Sequence, residues 1–191
     1  IVNMAGQHGF NQVTFEDVRV PRENLVGELN RGWYVAATLL DFERSGIDYA
    51  AGARRALDDL VRLANELEGP DGGPLSHDPD VRRRFVELGI ETEAARLIAY
   101  EVAYLQGKGE VPNMEASMSK ATGTRLTQKV SAFGVELLGL YGQLERGSPH
   151  AVMEGRLLER HLNSFSATIA AGTTEIQKNI IATRGLGLPR G

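Results

Sequence analysis

Two periodicities divide the chain. Near the start, Val13, Phe15, Val18 and Val20 alternate with polar residues in QVTFEDVRVP, and Pro21 closes the run. Alternation with period two predicts β-strand. One or two strands are not stable alone, so this piece is expected to pair with a sheet outside the sequence. From Trp33 onward the period is helical. A first helix is predicted over 33–68, with Ala36, Leu40, Ile47, Ala50, Leu57, Val61 and Ala64 on one stripe, interrupted by Glu43 and Arg54. At 1.5 Å per residue it would be roughly 50 Å long, which implies a long antiparallel bundle. The run Gly69-Pro70-Asp71-Gly72-Gly73-Pro74 breaks it. A second helix is predicted over 79–106, capped by Asp78 with Pro79 in its first turn, on the stripe Val81, Phe85, Leu88, Thr92, Ala95, Ala99 and Val102. A third is predicted over 113–140. Its second half carries Leu126, Val130, Phe133, Leu137 and Leu140. Its first half is small and polar, which allows close approach of a neighbour. A fourth runs from about Ser148 to Ser164, and a last one starts near Thr174 and stops before Gly185. Trp33 is expected in the core.

The expected fold class is therefore mainly α: an antiparallel four-helix-bundle-type domain over 31–191, after a short β segment and linker over 1–30. The composition agrees. The chain has 191 residues, 42% hydrophobic but only 6% aromatic, so its apolar content comes mostly from aliphatic residues that suit helices. Net charge is −4 with the two signs interspersed, so no nucleic-acid partner is expected. There is no cysteine, which excludes disulfides, thiolate metal sites and thiol catalysis and fits a reducing, cytoplasmic setting. No apolar run reaches membrane-spanning length. The sequence opens on Ile1, and a longer product is expected.

Chemistry is concentrated at two places. Glu43 occupies an apolar stripe beside Leu40 and Ile47. A carboxylate buried there is costly unless paired or used, and burial would raise its pKa toward what a general base needs. Pairing with Arg44, Arg54 or another cation is the structural alternative. The second place is Ala170-Ala171-Gly172-Thr173-Thr174-Glu175-Ile176-Gln177, where Thr174 and Gln177 have capping-box spacing behind small residues. It reads either as an ordinary capped helix or as an anion site at a helix start. The four histidines show no ligand spacing, and neither a P-loop nor a nucleophile elbow is present.

Three blocks in order, FEDVRVPRENLVGELNRGW at 15–33, LLDFERSG at 39–46 and TIAAGTTEIQKNIIATRGLGLPR at 168–190, resemble the acyl-CoA dehydrogenase family of flavoproteins. The resemblance covers essentially the whole chain. It implies the end of a middle β-domain followed by the C-terminal helical-bundle domain, with the remaining domains upstream. It also implies FAD, oxidation of an acyl-CoA thioester to the 2,3-enoyl-CoA, transfer of electrons to an electron-transferring flavoprotein, and a homodimer or homotetramer. Many members carry the catalytic Glu just before the final Gly-Thr, where this chain has Ala171. Others, such as the isovaleryl and long-chain enzymes, place it on the first helix of this domain directly before an Arg, which here is Glu43-Arg44. The resemblance thus implies Glu43 as the base and Asp41, Phe42, Arg44, Ala171 and Gly172 as acyl-CoA contacts. The N–H of Ala171 would bond the thioester carbonyl together with a flavin ribityl hydroxyl, and Thr173, Thr174 and Glu175 would contact FAD.

The chain also departs from the family pattern. It lacks the Arg-x-x-Phe-Gly segment after the first helix, leaving Arg82, Arg83 or Arg84 to substitute. The residues usually near the adenosine appear only as Glu136, Gly139 and Gly142. These departures leave a second expectation open: a non-catalytic truncated paralogue that serves as a structural or interaction subunit of a dehydrogenase complex.

Overall fold

The computed structural model describes residues 1–43 and 46–189, apart from the side chains of Asp41 and Phe42. Six α-helices carry the architecture: α1 (Gly32–Glu43), α2 (Ile47–Glu66), α3 (Pro79–Gly107), α4 (Asn113–Leu137), α5 (Arg156–Ala167) and α6 (Thr174–Ile180), the last continued by a π-helical turn over Ile181–Gly185. Helix α4 is central and packs against α2, α3, α5 and α6, whereas α1 touches α4 lightly.

Side-chain pairs fix the direction of each helix. Between α3 and α4, Arg84 bonds Glu136 at 3.4 Å and Glu91 bonds Lys129 at 2.7 Å. Seven residues up one helix match seven down the other, so the pair is antiparallel. Between α4 and α5, Gly134 faces Leu157, and the Gln128 amide donates to the Thr168 hydroxyl just past α5, at 3.1 Å; this pair is antiparallel too. Between α2 and α4, Tyr49 sits over Gly123 and Leu60 against Gly134, which is a parallel register. Helices α2 to α5 therefore alternate in direction, as the sequence reading expects of a bundle.

The core forms where these faces meet. Leu57, Leu60 and Leu63 of α2, Leu88 and Ala95 of α3, Leu126, Val130 and Phe133 of α4, and Leu157 of α5 are buried together. Phe85 meets Phe133 edge to face with centroids 5.0 Å apart, the arrangement that ring quadrupoles favour. The predicted stripe of α3 holds: Leu88, Thr92, Ala95, Ala99 and Val102 are buried. Its cap holds as well, because the Asp78 carboxylate accepts from the N–H groups of Asp80 at 2.8 Å and Val81 at 3.1 Å.

The structure corrects several local expectations. The long first helix is two helices, and Gly46 starts the second in a left-handed conformation with φ of 77°. A side chain there would be strained, and its Cβ would run into the Ser119 hydroxyl; glycine is the residue that permits this turn. The buried stripe of α2 runs through Ala50, Ala53, Leu57, Leu60 and Ala64, while Val61 is exposed. On α1, Ala36 lies exposed and Leu40 is only partly covered. Trp33 is 81% exposed rather than in the core. Helix α4 ends at Leu137 and leaves Leu140 exposed in a 3-10 turn (Gly139–Gln143). The fourth helix starts at Arg156, eight residues later than expected, behind a turn in which Met153 and Glu154 have positive φ. The alternating segment at 13–20 forms no strand: Val13, Phe15, Val18 and Val20 are exposed. A strand needs a ladder partner, and among the described residues the only bridges are Val2 with His8 and Glu68 with Pro74.

Candidate functional site

The second block singled out in the sequence folds as a strained turn leading into α6. Ala171 has φ of 54° and Gly172 of 94°. Two consecutive left-handed residues reverse the chain after α5, and an alanine there is uncommon. The turn closes on itself through the Thr174 N–H, which donates to the Thr168 carbonyl at 3.1 Å. The cap of α6 is Thr173, one residue before the position expected from spacing, and its hydroxyl accepts from the Ile176 N–H at 3.3 Å. Gln177 does not complete a capping box. Its side chain is wholly buried, and its amide nitrogen donates to the carbonyls of Gly172 at 3.0 Å and Ala171 at 3.4 Å. The Gly172 carbonyl also accepts from the ammonium of Lys120, which is 1% exposed within the small-residue half of α4.

This anchoring determines which way the turn presents its backbone. In a trans peptide the C=O and the N–H of the next residue point in opposite directions. The Gly172 carbonyl is drawn inward onto Lys120 and Gln177, so the Thr173 N–H faces outward. Gln177 draws the Ala171 carbonyl inward in the same sense, so the Gly172 N–H faces outward too. Two successive amide N–H groups directed to one side of a turn form a concavity suited to an oxyanion or a polarised carbonyl. At the start of α6, the carboxyl of Glu175 is held below the usual carboxylate range by its own backbone N–H and then by the Thr173 hydroxyl.

The first block meets the same stretch of α4 as this turn. Asp41 and Glu43 are in the last turn of α1, and Glu43 is exposed rather than buried in an apolar stripe, because α1 stands away from the bundle. Arg44 lies outside the described residues, as do the side chains of Asp41 and Phe42. Arg54 is engaged elsewhere, with Asp58 at 3.1 Å. Neighbouring residues of α4 link the two blocks: Ser119 lies against Gly46, three residues after Glu43, and Lys120 holds Gly172. Glu43 is also within electrostatic reach of Tyr49, whose phenol is raised by burial first, then by Asp48 and Glu43. Of the arginines proposed to substitute for the missing motif, Arg83 bonds Asp80 and Glu87, Arg84 bonds Glu136, and Arg82 is exposed.

The sequence reading missed Lys120 and the inward role of Gln177. The available signal was a long cation on the face of α4 that also carries Ala116, Gly123 and Thr124, all buried. A groove of about 430 Å³ between α2, α4 and α5 is lined by Tyr49, Ala56, Val130 and Ser164 among others; the turn at 171–175 takes no part in it. No helix among the described residues is long and apolar enough to cross a membrane.

Comparison with known proteins supplies a context for this geometry. Residues 30–186 match the family model described as "Acyl-CoA dehydrogenase, C-terminal domain". Acyl-CoA dehydrogenase FadE26 of Mycobacterium tuberculosis is 32% identical over 179 residues, covering 92% of this chain and 45% of its own length. Among solved structures, the Tcur3481-Tcur3483 steroid ACAD G363A variant superposes with a TM-score of 0.85 at 28% identity, over 100% of this chain and 49% of that one. The ChsE4-ChsE5 complex from Mycobacterium tuberculosis does so with a TM-score of 0.81 at 30% identity, over 93% and 46%. The chain thus spans about half the length of the relatives it matches. A helical bundle built on α2 to α5, an anchored Ala171–Gly172 turn and a family match over most of the sequence lead to one conclusion: the chain belongs to the acyl-CoA dehydrogenase family and comprises its C-terminal helical domain.

Proposed function

We propose that this chain is the C-terminal domain of an FAD-dependent acyl-CoA dehydrogenase that converts an acyl-CoA thioester to the 2,3-enoyl-CoA. The observation that carries this reading is the Ala171–Gly172 turn, whose anchored carbonyls leave the Gly172 and Thr173 N–H groups directed outward, linked through Ser119 and Lys120 of α4 to the segment that bears Glu43. In this reading the turn at Ala171 and Gly172 holds the thioester carbonyl through its backbone N–H groups. Negative charge grows on that oxygen as the α-proton leaves, and fixed donors stabilise it most at that point. Glu43 takes the α-proton. Its exposure in the isolated domain leaves it open to a substrate laid across the turn. Asp41, Phe42, Arg44 and Gly172 complete the acyl-CoA contacts.

The donor set at the start of α6 fits the cofactor. Thr173 and Thr174, whose hydroxyl is not consumed by capping, lie beside the exposed Glu175; the threonines would hold FAD through its phosphate oxygens, and the Glu175 carboxylate would accept from an FAD hydroxyl. FAD, when bound, supplies the acceptor for the β-hydride. Residues 1–30 are the tail of the middle β-domain and the linker, whose exposed Val13, Phe15, Val18 and Val20 await the rest of a sheet. An electron-transferring flavoprotein is the proposed electron acceptor, and a homodimer or homotetramer the proposed assembly.

The test is the visible spectrum of the full gene product during titration with a panel of acyl-CoAs. The native protein should bleach with one of them, and Glu43→Gln should bleach about a hundred- to ten-thousandfold more slowly, which is what loss of a general base costs. Bleaching of the variant at the native rate would remove Glu43 from the role of base. A second reading, a non-catalytic subunit paired with a different dehydrogenase chain, draws on Ala171 standing where many members carry their carboxylate. It expects a colourless protein that co-purifies with such a chain.

A further inference from the structure

Lys120 is a buried cation that the proton-transfer chemistry above does not use. We propose that it is a positioning residue: together with Gln177 it fixes the orientation of the Ala171–Gly172 turn, and it polarises the Gly172–Thr173 peptide so that the Thr173 N–H becomes a stronger donor to a thioester carbonyl.

The geometry has three parts. Residues 171 and 172 both have positive φ, a conformation that costs free energy for alanine and persists only when its surroundings hold it. The holding groups come from two different elements, the Lys120 ammonium from α4 and the Gln177 amide from α6, and both converge on the Gly172 carbonyl. A hydrogen bond from a charged donor to a carbonyl is stronger than a neutral one. In a low-dielectric interior it also draws electron density along the peptide and strengthens the N–H at its other end. Lys120 is positioned to do this because Ser117, Ser119, Gly123 and Thr124 around it are small and buried. The Thr124 hydroxyl ties back to the Lys120 carbonyl at 2.8 Å, which fixes the backbone from which the side chain extends. The Gln177 carbonyl oxygen is buried with no hydrogen-bond partner among the described residues, so the carbonyls its amide nitrogen serves orient the group.

The inference rests on the acyl-CoA reading for its substrate and on the fold alone for its mechanics, and the two are tested separately. Amide hydrogen exchange of the full-length protein tests the mechanics. In Lys120→Met, exchange at Thr174, Ile176 and Gln177, whose N–H groups are protected by the turn and cap, should rise about tenfold, while amides of Leu60, Leu88 and Leu126 keep their native rates. Unchanged exchange, or a uniform rise across the bundle, overturns the proposal. Gln177→Met, which leaves Lys120 in place, should give the same local pattern at smaller amplitude and serves if Lys120→Met does not fold. Affinity tests the recognition. Lys120→Met should bind an acyl-CoA thioester about tenfold more weakly and the matching thioether, which lacks the carbonyl, within about twofold of native. Equal weakening of both compounds overturns the positioning role. A native protein that binds neither compound overturns the acyl-CoA reading, and the exchange result still decides the role of Lys120.

Discussion

Tyr49 of α2 rests on the bare backbone of Gly123 in α4. A Cβ placed on Gly123 would stand 2.7 Å from the Cβ of Tyr49 and 3.1 Å from its ring. This contact sets how closely the two parallel helices approach at the end of the bundle that carries the turn. The small-residue half of α4 exists to allow it: Ala116, Ser117, Ser119, Gly123 and Thr124 are all buried there.

Replacing Gly123 by alanine tests the contact. In an exposed helix the change would stabilise by about 1 kcal/mol through propensity. Here the obstructing atom is a Cβ fixed to the backbone, so α2 must move, and overpacking of this kind costs about 1–3 kcal/mol. The expected outcome is a lower midpoint in thermal unfolding. A raised midpoint would mean that α2 and α4 separate freely.

Phe133 is the aromatic centre of the core, 3% exposed and in edge contact with Phe85. Phe133→Ala should destabilise by about 3–5 kcal/mol, read as a shift of the urea midpoint with the slope unchanged. Ion pairs on the same helices should matter far less. A double-mutant cycle on Glu91 and Lys129, both about half exposed, should give a coupling under about 1 kcal/mol.

Tyr49 makes stability depend on alkaline pH. Its phenol is raised above the ordinary value of 10.0 by burial, then by Asp48 and Glu43. The native state therefore holds its proton more tightly than the unfolded chain does. Stability from this group is complete below about 10, its unfolded value, and is lost as pH rises through the higher native one. Tyrosinate absorbance of the native protein minus that of Tyr49→Phe should show a titration above the ordinary phenol range. Glu43→Gln should move it down, because removing a nearby negative charge eases ionisation.

Asp78 caps the longest helix with two backbone bonds. Asp78→Ala should cost about 0.5–2 kcal/mol, with faster hydrogen exchange confined to the first turns of α3.

Much of the fold could be read from the residues because it rests on local rules. The α3 stripe from Leu88 to Val102 follows helical spacing and is buried as read, and Asp78-Pro79 starts that helix as cap chemistry requires. Expectations failed where a local pattern competed with a contact distant in sequence. Ala36, Leu40, Ile47 and Ala50 share one stripe on paper, yet Gly46 turns the chain left-handed between them because Ser119 occupies the space a continuing side chain would need. The candidate site divides in the same way. The motif at 170–177 stood out by composition. Its cap shifted by one residue, and the inward turn of Gln177 depended on carbonyls that only the reversed chain delivers.

The sequence by itself determined that this chain is a helical bundle and where most helices begin and end. Those features follow from spacing, caps and breakers within a dozen residues of each other. Only the tertiary structure decided that Glu43 stands exposed at the end of a separate short helix, that Trp33 lies outside the core, and that Lys120 reaches Gly172 across 52 residues of chain. Each of these depends on which surfaces meet once the helices pack, and periodicity along one helix carries no information about the surface that will face it.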